Sequence, residues 1–232
     1  MRRIREMNIN TSDYWDTVYS SQKYLYPGYD FYLTLLYYYI PLLIELKYID
    51  SFEGVSILDY GCGIADRLKL LDISTIKYSG YDISKKVIEY NKSLFSDMNW
   101  YSSVNDIQQK PDYIICLHVL EHIDNPCETL KWMLNCAKKG VFIQVPFKQS
   151  FKVREHVWEF DETSFDSNKV KPAVIIPGLI MNNTNDREIF FAFLNDRNYN
   201  DSKIINIFKG NMSPKAWFFK FVNCGYVNYY NE

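Results

Sequence analysis

An α/β fold around a mostly parallel sheet is what this sequence predicts, and three observations predict it. From residue 55 onward, strand-like runs (55–59, 78–82, 100–104, 113–117, 141–145) alternate with helix-like runs (65–71, 85–96, 126–138). Alternating βα units imply parallel strands joined by right-handed crossovers. A glycine turn, Gly61-Cys62-Gly63, joins the first strand to the first helix within SILDYGCGIADRLKLL. Polar residues, Asp59, Asp82, Asp106 and His118, fall at or just past successive strand ends. Ligands of such sheets sit beyond the carboxyl ends of the strands.

Each element has its own signal. Residues 1–12 read as a loose arm, and Ser12 can cap a helix that starts SDYWDTVYSS. Pro27-Gly28 marks a turn. Residues 29–49 read as one long helix that bends near Pro41. Pro41, Glu45 and Lys47 interrupt its apolar run, so no membrane span is expected. Ser84 is placed to cap the helix after Asp82. Pro126 suits the first turn of the helix over 126–138, and Gly140 suits its C-cap. After Pro146 the alternation loosens. Residues 151–165 read as an extended loop leading into a helix. The stretch at about 166–213 reads as an insertion that forms a substrate cap or a homodimer face. Residues 215–223 read as a last helix and GYVNYY as a closing strand. The division expected is therefore a helical cap over 1–50 and one domain over 51–232.

Composition narrows the function. At 232 residues the chain suffices for one domain with a sizeable core. Its net charge of −2 argues against a nucleic-acid groove, which needs a basic face. Five cysteines, an odd number without a CxxC pair, argue against a disulfide scaffold and for a reducing cytoplasm. The start turns polar where a secretory leader would be apolar. The 20 Tyr and 15 Phe fit either biased codon usage or an aromatic-lined pocket.

The glycine turn limits the ligand. Glycine lets backbone approach a bound molecule closely. A dinucleotide site wants a further glycine three residues after Gly63, where helix and pyrophosphate meet. Asp66 stands there and would repel a pyrophosphate. An acid at the first strand tip, Asp59, suits an ammonium instead. S-adenosylmethionine carries an ammonium, a ribose and no phosphate, so the residues favour it over NAD.

The stretch from about 55 to 146 resembles the core of class I S-adenosylmethionine-dependent methyltransferases, in flavour the ubiquinone-biosynthesis O-methyltransferase type. LDYGCGIA resembles the family's first motif, with Ala65 in place of its last glycine. GYDIS resembles the second, VNDI the adenine-contacting motif, and DYIICLHVLEHIDNP the fourth-strand motif. The resemblance implies a three-layer sandwich, a seven-stranded and mostly parallel sheet between helices. It assigns the cofactor to Asp59, Gly61, Cys62, Gly63, Asp82, Ile83, Asp106, Ile107 and Leu117. Asp82 would accept from both ribose hydroxyls and Asp106 from the adenine amino group. It also implies that N-terminal helices cover the cofactor, which makes Tyr14, Trp15, Tyr24 and Tyr26 lid candidates. Packing against the core is the plainer role for these four.

The chain's three histidines, His118, His122 and His156, all follow the fourth or fifth strand and face the expected acceptor side. One of them can serve as general base for a hydroxyl acceptor. Alternatively His118, Glu121, His122 and His156 bind a divalent metal, in a pattern similar to the E-x-x-E-H metal motif of small-RNA 2′-O-methyltransferases. A third reading has Glu121 and His122 merely tie loops together. The expected activity is O-methylation of a small molecule, a phenol or quinone precursor or a sugar hydroxyl. An RNA 2′-O-methyltransferase and a non-catalytic binding protein on the same fold are the alternatives.

Overall fold

The computed structural model describes residues 1–21, 35–70, 73–148, 153–165, 171–180, 187–195 and 202–204. Two short strands, β1 (Arg2–Arg3) and β7 (Trp158–Glu159), pair antiparallel beside the main sheet. The main sheet has eight strands: β2 (Ser56–Tyr60), β3 (Lys77–Tyr81), β4 (Asn99–Tyr101), β5 (Tyr113–Leu117), β6 (Gly140–Pro146), β8 (Val174–Ile180), β9 (Arg187–Leu194) and β10 (Lys203–Ile204). Their order is β10-β8-β9-β6-β5-β2-β3-β4. From β6 to β4 all neighbours are parallel, as alternation predicts, so the tips of β2, β3, β4, β5 and β6 share one edge. β9 runs antiparallel to both β6 and β8.

The 166–213 stretch, expected as an insertion, thus contributes three strands to the sheet. Period-two burial explains why. Val174, Ile176, Phe190 and Ala192 pack on one face, and Ile175, Ile189, Phe191 and Phe193 on the other. Strands apolar on both faces need a covered position inside a sheet. The last helix and closing strand expected over 215–230 lie outside the described residues.

Helices cover both faces, giving three layers. On one face Leu35, Tyr39, Ile40 and Leu43 pack on Ile57, Ile115, Phe142 and Phe190. On the other, Leu130 and Met133 of a helix over Pro126–Cys136 pack on Leu58, Ile114, Val141 and Ile143. The helices are labelled α1 (Ser12–Ser20), α2 (Ile40–Glu45), α3 (Lys85–Leu94) and α4 (Pro126–Cys136).

Several local expectations change, among them the helix over 65–71, which is a 3-10 helix over Ala65–Leu70. The helix over 29–49 is described from Leu35, as a π-helical turn (Leu35–Tyr39) that runs into α2 with Pro41 in its first turn. Proline lacks the N–H that a continuous α-helix would use there. The cap of α1 is Thr11, whose hydroxyl accepts from the Tyr14 N–H, rather than Ser12. Gly140 does not cap α4, which ends at Ala137, but opens β6. A Cβ on Gly140 would stand 2.3 Å from the Phe193 carbonyl oxygen, so only glycine lets β9 approach. Residues 161–165 make a turn in which the Ser164 N–H donates to the Asp161 carbonyl, and the helix expected to follow falls on 166–170, outside the described residues.

Candidate active site

The glycine turn lies at the β2 tip with Gly61 at φ +80° and Gly63 at φ +53°, values that side-chain-bearing residues rarely adopt. Its amides are already committed. Gly61 N–H (2.7 Å) and Cys62 N–H (3.0 Å) donate to the Tyr81 carbonyl, and Gly63 N–H donates to Asp82 Oδ2 at 2.9 Å. Ala65 N–H donates to Asn91 Oδ1 at 3.0 Å. A phosphate cradle needs N–H groups directed at the ligand. This turn has spent these four on its own frame, which agrees with Asp66 in disfavouring a pyrophosphate.

The three acids lie on neighbouring tips of the same edge. Asp59, in β2, is buried, and its Oδ2 accepts from the Tyr78 hydroxyl at 2.5 Å. Asp82 follows β3 and also accepts from Ser84 N–H at 2.8 Å. Burial raises its pKa to about 6, against the pull of the two amide bonds. Asp106 follows β4, exposed, at the end of a 3-10 turn over Val104–Asp106. Cys62 is buried under the turn, and Leu117 ends β5. Ile83 keeps 42% of its surface exposed, while Ile107 is half-buried against the sheet.

Sequence reasoning missed the group that braces this turn. Asn91 of α3 is fully buried, accepts from Ala65 N–H and donates to the Gly63 carbonyl at 2.8 Å. Its spacing from Val87 and Ile88 put it on the buried stripe of α3, and a polar residue on such a stripe was the available signal.

The N-terminal arm is not loose. Arg5 donates to the His156 and Val153 carbonyls (3.1 and 3.3 Å), Asn8 to the His122 carbonyl (3.0 Å) and Asn10 to the Glu155 carbonyl (2.8 Å). It therefore straps the loops that carry two histidines. α1 then crosses the sheet edge. Ser12 donates to the Ile83 carbonyl, Ser84 to Asp16, and Tyr14 to Glu155. A Cβ on Gly63 would come within 3.1 Å of the Tyr19 hydroxyl, so Tyr19 lies over the glycine turn. Trp15 meets the His122 ring edge-on at 5.4 Å. Tyr24 and Tyr26 lie outside the described residues.

The histidines divide. Glu121, His122 and His156 bring one ligand atom each to within 4.8 Å of one another. His118 stands outside that set: its Nε2 is 2.8 Å from Glu188 Oε2 and its Nδ1 3.4 Å from Glu121 Oε1. Its backbone has φ +57°, and its N–H donates to the Gln144 carbonyl at 2.8 Å. Burial pulls the His118 pKa down, but Glu188 and Glu121 outweigh it and lift the value to about 9. Burial lowers His156 to about 4. Burial alone would raise Glu121, yet His118 and the neighbouring imidazoles hold it at about 2. His122 Nδ1 is 3.1 Å from the Glu155 carbonyl, a contact that fixes the Nδ1–H tautomer and leaves Nε2 as an acceptor.

Two further polar groups are fully buried at this edge. Neither amide atom of Gln144 and not the Tyr39 hydroxyl has a hydrogen-bond partner among the described residues. Each such group costs about 1–3 kcal/mol if nothing satisfies it. A separate cleft lined by Tyr48, Asp50, Glu53, Tyr113 and Lys139 opens at the amino-terminal edge of the sheet, away from all these residues.

A family model described as "Methyltransferase domain" matches residues 35–169. A magnesium protoporphyrin IX methyltransferase from Synechocystis PCC 6803, with bound S-adenosylhomocysteine, superposes with a TM-score of 0.55 at 13% identity, over 79% of this chain and 96% of that one. The plantazolicin methyltransferase BpumL gives 0.55 at 12% identity, over 80% and 92% of the two chains. The [4+2]-cyclase SpnF gives 0.52 at 12% identity, over 72% and 73%. At such identities the likeness is one of fold. No curated protein sequence matches the chain.

Proposed function

The chain belongs to the methyltransferase domain family, and from that premise we propose that it transfers the methyl group of S-adenosylmethionine to an oxygen of a small molecule. The single observation that carries the donor assignment is the row of Asp59, Asp82 and Asp106 on adjacent parallel tips, beside a glycine turn whose amides are spent. Asp82 accepts from the ribose hydroxyls with the lone pairs its two amide bonds leave over. Asp106 accepts from the adenine amino group, with exposed Ile83 and half-buried Ile107 as the apolar walls of the base. Asp59 lies under the turn and faces the ammonium end. Cys62 and Leu117 pack beneath, and Tyr19 closes over Gly63.

The transfer is an in-line displacement. A lone pair of the acceptor oxygen forms the new O–C bond as the C–S bond breaks, and the electron pair returns to the positive sulfur. The hydroxyl proton must leave. His118, with a pKa near 9, is already protonated at neutral pH and cannot take it. One of His122 and His156 therefore carries the base role, with Glu121 stabilising the imidazolium that forms. His118 instead positions, pinned between two carboxylates in a left-handed backbone conformation.

The same three groups fit a divalent cation. One anionic carboxylate and two imidazoles give the mixed N and O donor set that suits Zn, Mn or Fe. Glu121, His122 and His156 would hold it, and when bound it would lower the pKa of the acceptor hydroxyl.

Candidate acceptors are phenol or quinone precursors and sugar hydroxyls, and the cysteine usage supports a cytoplasmic setting. No helix of the described residues is long and apolar enough to cross a membrane. Two measurements test the proposal. Calorimetric titration with S-adenosylhomocysteine should show one site per chain. Labelled S-adenosylmethionine incubated with cell-extract fractions should label a small molecule. Label appearing in RNA would replace the acceptor class, and absence of S-adenosylhomocysteine binding would end the reading.

A further inference from the structure

We propose that Gln144 and Tyr39 form the recognition end of the acceptor pocket, and that the acceptor is a neutral planar ring with a hydrogen-bond donor and acceptor side by side. The reaction at the far end rests on the methyltransferase reading above. The pocket itself rests on four observations.

Gln144 lies near the carboxyl end of β6, in register with Leu117 at the tip of β5 and with Phe190 of β9. It is fully buried, and both its amide nitrogen and its amide oxygen lack a hydrogen-bond partner among the described residues. Tyr39 stacks on Phe190 with ring centroids 4.0 Å apart and planes 10° from parallel, and its hydroxyl is likewise unpartnered. Tyr39 closes the π-helical turn Leu35–Tyr39, an irregularity frequently found at functional sites.

The chemistry of the ligand follows from these groups. A primary amide offers one donor edge and one acceptor edge in a single plane. A matching partner pairs a donor with an adjacent acceptor, as a hydroxyl beside a carbonyl does. The Tyr39, Phe190 and Phe142 rings form one stacked series, with centroids 4.0 and 6.0 Å apart, which gives the pocket a single apolar side. Glu188, the carboxylate whose charge reaches Tyr39, is paired with His118 at 2.8 Å and so is already matched by a cation before any ligand arrives. Distance sets the size. Two strand spacings of about 4.8 Å separate β6 from β2, so Gln144 lies roughly 10 Å from the glycine turn. One substituted six-membered ring spans that gap and presents its hydroxyl to the sulfonium.

The probe is 2-hydroxybenzamide, titrated by ligand-observed NMR against the chain without cofactor, with toluene as the apolar ring of similar width. The expected result is saturable binding of 2-hydroxybenzamide, at least tenfold tighter than toluene. Gln144→Leu should abolish that preference, and Tyr39→Phe should reduce it several-fold. Both variants should melt no lower than the parent, because each removes polar atoms that have no partner. Equal affinity for the two probes, or a preference that survives Gln144→Leu, overturns the proposal. So does a crystal soaked with 2-hydroxybenzamide in which only water bridges Gln144 and Tyr39. S-adenosylhomocysteine titrated into the same proteins reads the cofactor site separately. Should it fail to bind a chain that binds the ring, the methyltransferase reading falls and the pocket stands.

Discussion

Asp82 links stability and cofactor affinity through one proton. Burial lifts its pKa from 3.8 to about 6 despite two backbone hydrogen bonds. A folded-state value above the unfolded one means that the folded chain holds a proton the unfolded chain has released. The stability this group contributes is complete below pH 3.8 and is lost as the pH rises through about 6. A shift of roughly two units corresponds to about 3 kcal/mol at neutral pH. Two ribose hydroxyls, however, need the ionised form as their acceptor. Apparent affinity then follows the ionised fraction, which is about one tenth at pH 5. S-adenosylhomocysteine should bind about tenfold more weakly at pH 5 than at pH 7.5 by isothermal titration, with melting curves at each pH to confirm folding. Asp82→Asn should bind weakly at every pH, because its amide can accept from only one of the Gly63 and Ser84 N–H groups at a time. A wild-type Kd that stays flat from pH 5 to 7.5 would falsify the ribose assignment.

Three other outcomes are expected. Gly61→Ala should cost at least ~2 kcal/mol in urea unfolding, because φ is +80° and the new Cβ would meet Val119 Cγ2 at 2.4 Å. Adding Val119→Ala should recover the contact part alone, and full recovery would show that backbone strain is absent. Asn91→Leu should lose about 2–3 kcal/mol by stranding the Ala65 N–H and the Gly63 carbonyl, and should weaken S-adenosylhomocysteine binding by loosening the turn; an unchanged affinity would remove Asn91 from the site's frame. Mn²⁺ or Zn²⁺ titrated into chelator-treated protein should bind once per chain, at least tenfold more weakly in Glu121→Gln. Equal binding by parent and variant places the cation elsewhere, and full turnover after exhaustive chelation leaves His122 or His156 as a metal-free base.

The sequence by itself determined the parallel core and the cofactor edge. Hydrophobic runs that alternate with amphipathic ones are local patterns, and a glycine pair at a strand end is a local constraint on φ. Asp59, Asp82 and Asp106 could therefore be placed on one edge from order alone, since parallel strands put every carboxyl end on the same side. What only the tertiary structure decided are pairings between distant segments. Spacing could group His118 with Glu121 and His122, but the partner that takes its Nε2, Glu188, comes from β9, 70 residues later, in a stretch whose period-two pattern was broken by Pro177 and Gly178. The arm's hydrogen bonds to the 153–156 carbonyls carry no sequence signal, because backbone acceptors look alike at every residue. Gln144 reads as an ordinary polar residue in β6 until β5 and β9 pair on either side and bury its amide without a hydrogen-bond partner among the described residues.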